Sequence, residues 1–382
     1  MTYGTSEVYG IVQSEMNNST HKPYLSIVAT ARHDNHGGNL LGRMQLFIDG
    51  ILEQCNRFQL PAELIIVEWN PPKDRPRLVE ALNCSNLHTH GDWCSIRIIE
   101  VPHHIHSRFK YAESLPLFQM IGKNVGIRRS IGEFILATNI DILFTDELIG
   151  FLSRQSLQYE KMYRIDRCDI DPPPSMEDPI PTRLDWCKQH IVRINNQYES
   201  VNLRTGRSYP AAWKPTWRVK LMEFLQNHSL IPIVTRPPLH LNTCGDFTLL
   251  HRDHWFALRG YAELEMYSMH LDSLFCTAAS VAGLQEMILN DPMRIYHIEH
   301  GTGSGFQPEQ VSALNNRLEN SGIPQLSMTD FHRAAIEMRR NDQPTLFNDD
   351  NWGLYNETLT EINPFNTTNH TVNTTSREPC LA

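Results

Sequence analysis

The sequence contains no apolar stretch approaching the ~20 residues that cross a bilayer. Its first segment, Met1 to Ser19, lacks a basic stretch followed by an apolar run. Neither a secretory leader nor a membrane anchor is expected, and the chain reads as cytoplasmic. Eight cysteines, at positions 55, 84, 94, 168, 187, 244, 276 and 380, include no Cys-x-x-Cys pair. Scattered along a chain of this length, they read as reduced, packed thiols, not as a disulfide framework or a zinc knuckle. A Lys/Arg-rich arm is also missing. With 34 basic and 43 acidic residues the formal net charge is −9, so the overall field argues against nucleic acid as a partner. No internal repeat occurs. The sequons at Asn366, Asn369 and Asn373 lie in a Thr-rich C-terminal run and, with no leader, read as part of a polar tail.

What is present suits a soluble globular chain. Hydrophobic residues are 41% of the 382 and charged residues 20%, enough to bury the core of one large α/β unit, with or without an appendage. Leu25–Ala29, Leu64–Val67, Ile96–Val101 and Phe134–Ala137 are short apolar runs of the kind that form buried strands. Between them, apolar residues from Leu40 to Leu52 and at Phe118, Ile121 and Val125 recur at helical spacing. Alternation of strand and helix predicts a largely parallel sheet with helices on its faces. Such sheets bind ligands at the carboxyl ends of their strands, where Arg32-His33-Asp34, Glu68-Trp69-Asn70 and Asn139-Ile140-Asp141 fall. From 150 to 240 the pattern loosens. Pro172-Pro173-Pro174 and the Trp/Pro-rich run from Trp213 to Trp217 predict long loops over the sheet. Order returns near Leu239, and Leu271, Leu274, Phe275, Ala278, Ala279 and Ala282 form a helical stripe stopped by Gly283. Beyond about 340 the chain is polar, with Trp352 and Leu354 as anchors.

The most informative stretch runs from Lys123 to Asp141. If the fourth strand continues through Asn139-Ile140-Asp141, the two polar side chains share a face. A carboxylate beside a second oxygen ligand suits a hard divalent cation that keeps positions open for phosphate oxygens. The stretch resembles glycosyltransferase family 2, in which Arg-Asn-x-Gly opens a helix, Gly-Glu closes it and a strand delivers Asp-x-Asp. Lys123-Asn124-Val125-Gly126, Gly132-Glu133 and Asn139-Ile140-Asp141 occupy those places. Asn139 replaces the first Asp and removes a charge, and Lys123 replaces Arg and loses its bidentate fork.

The resemblance covers about residues 24–305 and implies a GT-A fold. It divides the chain into a flexible segment (1–22), a nucleotide-sugar half (23–150), an acceptor half (151–310) and a helical, polar extension (311–382). It places Asp34 near the nucleobase and Glu68 near the ribose, with Lys123, Asn124 and Asn139 also on the nucleotide-sugar. Arg164 and Arg167 become candidates for phosphate, and Asp166 for a donor-sugar hydroxyl. On the acceptor side Cys244-Gly245-Asp246, Gly260-Tyr261-Ala262-Glu263 and His270-Leu271-Asp272 match in order. Asp272 is then the catalytic base, with Asp246 as the competing carboxylate. A base must take the proton of the acceptor hydroxyl as it attacks the anomeric carbon. Late in the chain the family often completes its metal shell with a histidine. His297 and His300 are candidates, and a strand would put them on opposite faces unless the chain turns. The Gly-x-Gly-x-Gly run at 301–305 could approach a diphosphate through its backbone N–H groups.

The implied activity is transfer of a sugar from a nucleotide-sugar, a UDP-sugar foremost, to a saccharide or other hydroxyl acceptor. It is inverting and assisted by Mn²⁺ or Mg²⁺, in glycan or polysaccharide synthesis. Two alternatives stand beside it. A sugar-phosphate nucleotidyltransferase would want a Gly-rich basic loop after the first strand, where only Gly37-Gly38 occurs between Arg32 and Arg43. The other is a carbohydrate-binding protein that has lost catalysis, which the Asn139 replacement keeps open.

Overall fold

The computed structural model describes residues 22–83, 93–211, 238–300 and 308–364. Its main sheet has eight strands in the order β12-β6-β11-β4-β1-β2-β3-β14. These are β1 (Leu25–Ala31), β2 (Ala62–Trp69), β3 (Cys94–Val101), β4 (Phe134–Ala137), β6 (Lys161–Ile165), β11 (Thr248–His251), β12 (Gln285–Leu289) and β14 (Thr360–Ile362). The run β4-β1-β2-β3 is parallel, β11 is antiparallel to both β4 and β6, and β14 closes the edge antiparallel to β3. β1 and β2 are buried at every position, as strands covered on both faces must be. Helix α1 (Leu40–Phe58) covers one face through Met44, Phe47, Ile48 and Ile51. Helix α2 (Gln119–Arg128) covers the other. The α/β fold with a mostly parallel core is thus the one expected.

The reading of 150–240 as long loops fails over 161–211. Besides β6, that stretch holds β7 (Arg167–Ile170), β8 (Ile191–Asn195), β9 (Glu199–Asn202) and β10 (Ser208–Pro210). They join β5 (Ile142–Phe144) and β13 (Ile295–Ile298) in a second sheet, ordered β10-β9-β8-β7-β13-β5. One face of this sheet packs Cys168, Ile170, Tyr296 and Ile298 against a helix at Ile180–Gln189. The Trp213–Trp217 run, the Gly-rich run at 301–305 and the three sequons lie outside the described residues. All six described cysteines are free and buried, and no described helix is long and apolar enough to cross a membrane.

Trp352 and Leu354 anchor the C-terminal region as expected. Trp352 is buried under the Arg128 guanidinium, and Arg129 donates to the carbonyls of Gly353 and Leu354 at 2.7 and 2.9 Å. Both arginines end α2, so that helix also fixes the tail. Two glycines let α2 lie close on the sheet. A β-carbon at Gly122 would stand 2.4 Å from Thr30 Cγ2, and one at Gly126 would stand 2.5 Å from Val28 Cγ1 and 3.2 Å from Val67 Cγ2. Gly126→Ala should therefore lower stability by about 1–3 kcal/mol, the usual range for overpacking, despite the helix-propensity gain of up to ~1 kcal/mol. Urea unfolding is the check: a lower midpoint at unchanged slope is expected, and a higher midpoint would contradict the packing argument.

Candidate active site

Helix α2 brings Lys123 and Asn124 into the interior. Lys123 is fully buried and its Nζ donates to the Gly245 carbonyl at 2.6 Å. Burial pulls its pKa down to about 8, while Asp246, Asp272, Cys244 and Asp141 pull it up. Asn124 Nδ2 donates to Tyr261 O and Glu263 Oε1, and its Oδ1 accepts from Tyr261 N at 2.8 Å. A β-carbon at Gly260 would collide with that same Oδ1, at 2.3 Å. Lys123 and Asn124 thus join the segment before β4 to the segments that flank β11, and both are fully buried. Arg164 is also fully buried, donating to the His240 carbonyl at 3.0 Å and Thr248 Oγ1 at 3.1 Å. Asp166 lies beside His240 Nε2, at 3.0 Å.

Strand β4 ends at Ala137, so Asn139 and Asp141 lie in the turn before β5, not on a strand. Their side chains part, which corrects the expectation of a shared face. Asn139 donates to Asp246 Oδ1 at 2.5 Å and accepts from Gln119 Nε2 at 3.0 Å. Asp141 turns instead toward two histidines. His300 Nε2 is 3.0 Å and His297 Nε2 3.8 Å from Asp141 Oδ2. The chain bends after Ile298, where β13 stops, and this brings both histidines to one place. Asp141, His297 and His300 form a group able to hold a metal ion. Burial alone would raise the Asp141 pKa, but His297, His300 and Arg43 outweigh it and hold the carboxyl well below its usual range. Among the described residues Asp141 Oδ1 is buried with no hydrogen bond. One carboxylate with a spare oxygen and two imidazoles fits a divalent cation. Asn139 is instead engaged with Asp246 and Gln119.

Asp246 is committed on both oxygens, with Asn139 on Oδ1 and Arg167 on Oδ2 at 2.6 Å. Arg167 also reaches Asp169, its Nε 2.8 Å from Oδ1. Asp272 stands in the first turn of a helix at Leu271–Val281. Its Oδ1 accepts from Ser273 N at 2.8 Å, and Oδ2 carries no hydrogen bond among the described residues. A β-carbon at Gly245 would lie 2.9 Å from that Oδ2, so a larger residue there would displace the carboxylate. Asp34 lies past the end of β1, paired with Arg32 at 2.7 Å. Glu68, near the end of β2, is 1% exposed and accepts from Leu78 N at 3.0 Å. It caps the short turn at Leu78–Ala81, whatever further contact a ligand makes.

Asp141, His297 and His300 come together, as do Asp246, Asn139 and Arg167. Asp34 and Glu68 stand apart at the ends of neighbouring strands. Sequence reasoning missed Asp169, Arg193 and Gln119. The alternation Arg167-Cys168-Asp169-Ile170 was the available sign of a strand with one polar face.

No protein-family model and no curated protein matches the chain. Among solved structures it is similar to GalNAc-T7 with UDP, GalNAc and Mn²⁺, at a TM-score of 0.41 and 12% identity over 85% of this chain and 52% of that one. It is similar also to S. aureus TarS 1–349, at a TM-score of 0.40 and 12% identity over 83% of this chain and 71% of that one. The complex of TarS 1–349 with UDP-GlcNAc gives 0.40 and 10%, over 83% and 72%. These neighbours are GT-A-type glycosyltransferases. The chain spans about half the length of the GalNAc-T7 chain. At such scores the likeness settles no activity, and function has to be read from the side chains.

Burial pushes the Glu68 carboxyl up from 4.5 to about 7, against the Leu78 N–H and Arg77. A folded carboxyl that keeps its proton to a higher pH stabilises the fold below 4.5, and this contribution is lost as pH rises through 7. Glu68→Gln should therefore gain on wild type by about 1–3 kcal/mol at pH 8 relative to pH 4.5. Urea unfolding at both pH values checks it, and an equal difference at the two would remove the buried-carboxyl account.

Proposed function

We propose that the chain is a GT-A-type glycosyltransferase that moves a sugar from a nucleotide-sugar donor, a UDP-sugar first, to an acceptor hydroxyl with inversion. The observation that carries this reading is the cation triad of Asp141, His297 and His300 beyond the carboxyl end of β4, together with a separate, half-open carboxylate at Asp272. Lys123 lies within electrostatic reach of both carboxylates. A divalent cation, Mn²⁺ or Mg²⁺, held by the triad would neutralise the charge that develops on a departing nucleoside diphosphate. Asp272 Oδ2 takes the proton from the acceptor hydroxyl as the acceptor oxygen bonds to the anomeric carbon and the bond to the diphosphate oxygen breaks. Asp246 is less suited to be the base, because Arg167 and Asn139 occupy its oxygens. It orients the acceptor side instead. Asp34 and Glu68, at the ends of β1 and β2, mark the side for the nucleoside.

A panel of UDP-sugars screened for thermal stabilisation with Mn²⁺ and with EDTA identifies the donor. Stabilisation near 2.7 kcal/mol is expected when ligand exceeds its Kd about a hundredfold. With that donor, Asp272→Asn should retain Mn²⁺-dependent UDP binding and cut turnover, followed as UDP release, about 10²–10⁴-fold. Near-normal turnover in Asp272→Asn with an inactive Asp246→Asn would reverse the two roles. Full activity in both would overturn the acceptor side of the proposal.

UDP itself tests the cation. Titration calorimetry should show tighter binding with Mn²⁺ than with EDTA in wild type and no such difference in Asp141→Ala. Equal affinities in wild type would remove the cation from the mechanism.

A further inference from the structure

His297 belongs to two groups at once. Beside the triad with Asp141 and His300, it stands with Asp169 and Glu299, and the ligand atoms of each group lie within 4.8 Å of one another. Charge separates the two. Asp169 is buried and already carries Arg167 Nε at 2.8 Å on Oδ1, with Arg193 Nε and Asn195 Nδ2 each at 3.2 Å from Oδ2. Two guanidinium groups on one carboxylate oppose a second cation at that point. Among the described residues Asp141 faces one guanidinium, Arg43 at 3.9 Å, and although each carboxylate has a buried oxygen without a hydrogen bond, only that of Asp169 is already neutralised by two close guanidinium groups.

Resting on the cation reading above, we infer that Asp169 is a positioning residue for the metal triad. Its carboxylate takes the Nδ1–H of His297 and thereby leaves the Nε2 lone pair for the cation on the Asp141 side. The backbone ladder fixes this arrangement. His297 pairs with Asp169 across β13 and β7, and Asp169 pairs with Arg193 across β7 and β8. The three polar side chains form one row across the second sheet. Nδ1 is 3.3 Å from Asp169 Oδ1 and 4.0 Å from Glu299 Oε2, while Nε2 faces Asp141. The Nδ1 contact is slightly long, and its alignment falls short of a hydrogen bond. Contacts of this kind tighten when the site is loaded.

The row also has a reason to be built of charge. Arg167 joins Asp169 to Asp246, whose other oxygen holds Asn139, which in turn accepts from Gln119. Gln119 accepts from Ser268, just before the helix of Asp272. The carboxylate that orients His297 and the one on the acceptor side therefore share one guanidinium, and the two parts of the site are held in a common frame.

The test is Mn²⁺ binding followed by the EPR signal of the free ion, with nitrogen couplings from pulsed EPR, in wild type, Asp169→Asn and Glu299→Gln. Wild type should bind with two coupled imidazole nitrogens. Asp169→Asn should weaken binding about 10–100-fold, as loss of an outer-shell carboxylate usually does, and should weaken the coupling of one imidazole only. Glu299→Gln should match wild type. Histidine ¹⁵N NMR of the Zn²⁺-loaded wild-type protein reads the tautomer without any substitution, and His297 should carry its proton on Nδ1. Unchanged affinity in Asp169→Asn, or a loss in Glu299→Gln instead, would overturn the assignment. So would a His297 bound to zinc through Nδ1, a result that stands even if Asp169→Asn does not fold. Absence of Mn²⁺ binding in wild type would overturn the cation reading along with it, whereas wild-type binding with a silent Asp169→Asn overturns only the role of Asp169.

Discussion

The ammonium of Lys123 is the interaction on which the rest of the site depends. An isolated buried charge costs several kcal/mol, and this one has no exposure to solvent. One hydrogen bond to the Gly245 carbonyl at 2.6 Å and the attraction of Asp246, Asp272 and Asp141 partly offset that cost. Those carboxylates repel one another in a low-dielectric interior, and the ammonium attracts all three. Lys123 is therefore central in both senses. It fixes the 244–246 backbone under α2 and offsets the acidic groups of the proposed mechanism. The close approach of α2 to β1 and β2 through Gly122 and Gly126 is what places it there.

Much of the first half of the fold was legible. Leu25–Ala29 and Leu64–Val67 are apolar runs too short for helices, Ile96, Ile98, Ile99 and Val101 mark a third strand, and α1 has a clear 3.6-residue stripe. The second sheet was not legible from its composition. Its strands are three to five residues long, two of them flank a triple proline, and only one face of the sheet is apolar. Periodicity over so few residues competes poorly with the loop signal of proline.

The candidate site was legible in type more than in geometry. Asp141 and the two histidines are legible as ligands by type, whereas Asn139 shares a face with Asp141 only if β4 continues. The strand stops at Ala137, and the turn sends Asn139 to Asp246. Lys123 and Asn124 stand at the opening of the stretch that resembles family 2, and Arg164 follows it as a phosphate candidate. The structure gives each a protein partner, so their spacing records how helix, turn and strand are fastened. Asp169 escaped notice because its meaning comes from a neighbour 128 positions away in sequence, His297, which β-pairing alone sets beside it.

The proposed chemistry stands on a divalent cation held by Asp141, His297 and His300. Crystals grown with Mn²⁺ and UDP and measured near the manganese absorption edge test it most directly. One anomalous peak is expected, bonded to Asp141, to His300 and to Nε2 of His297, with none between Asp169 and Glu299. A peak coordinated by Asp246 and Asp272, or no peak near Asp141 while UDP is bound, would contradict it.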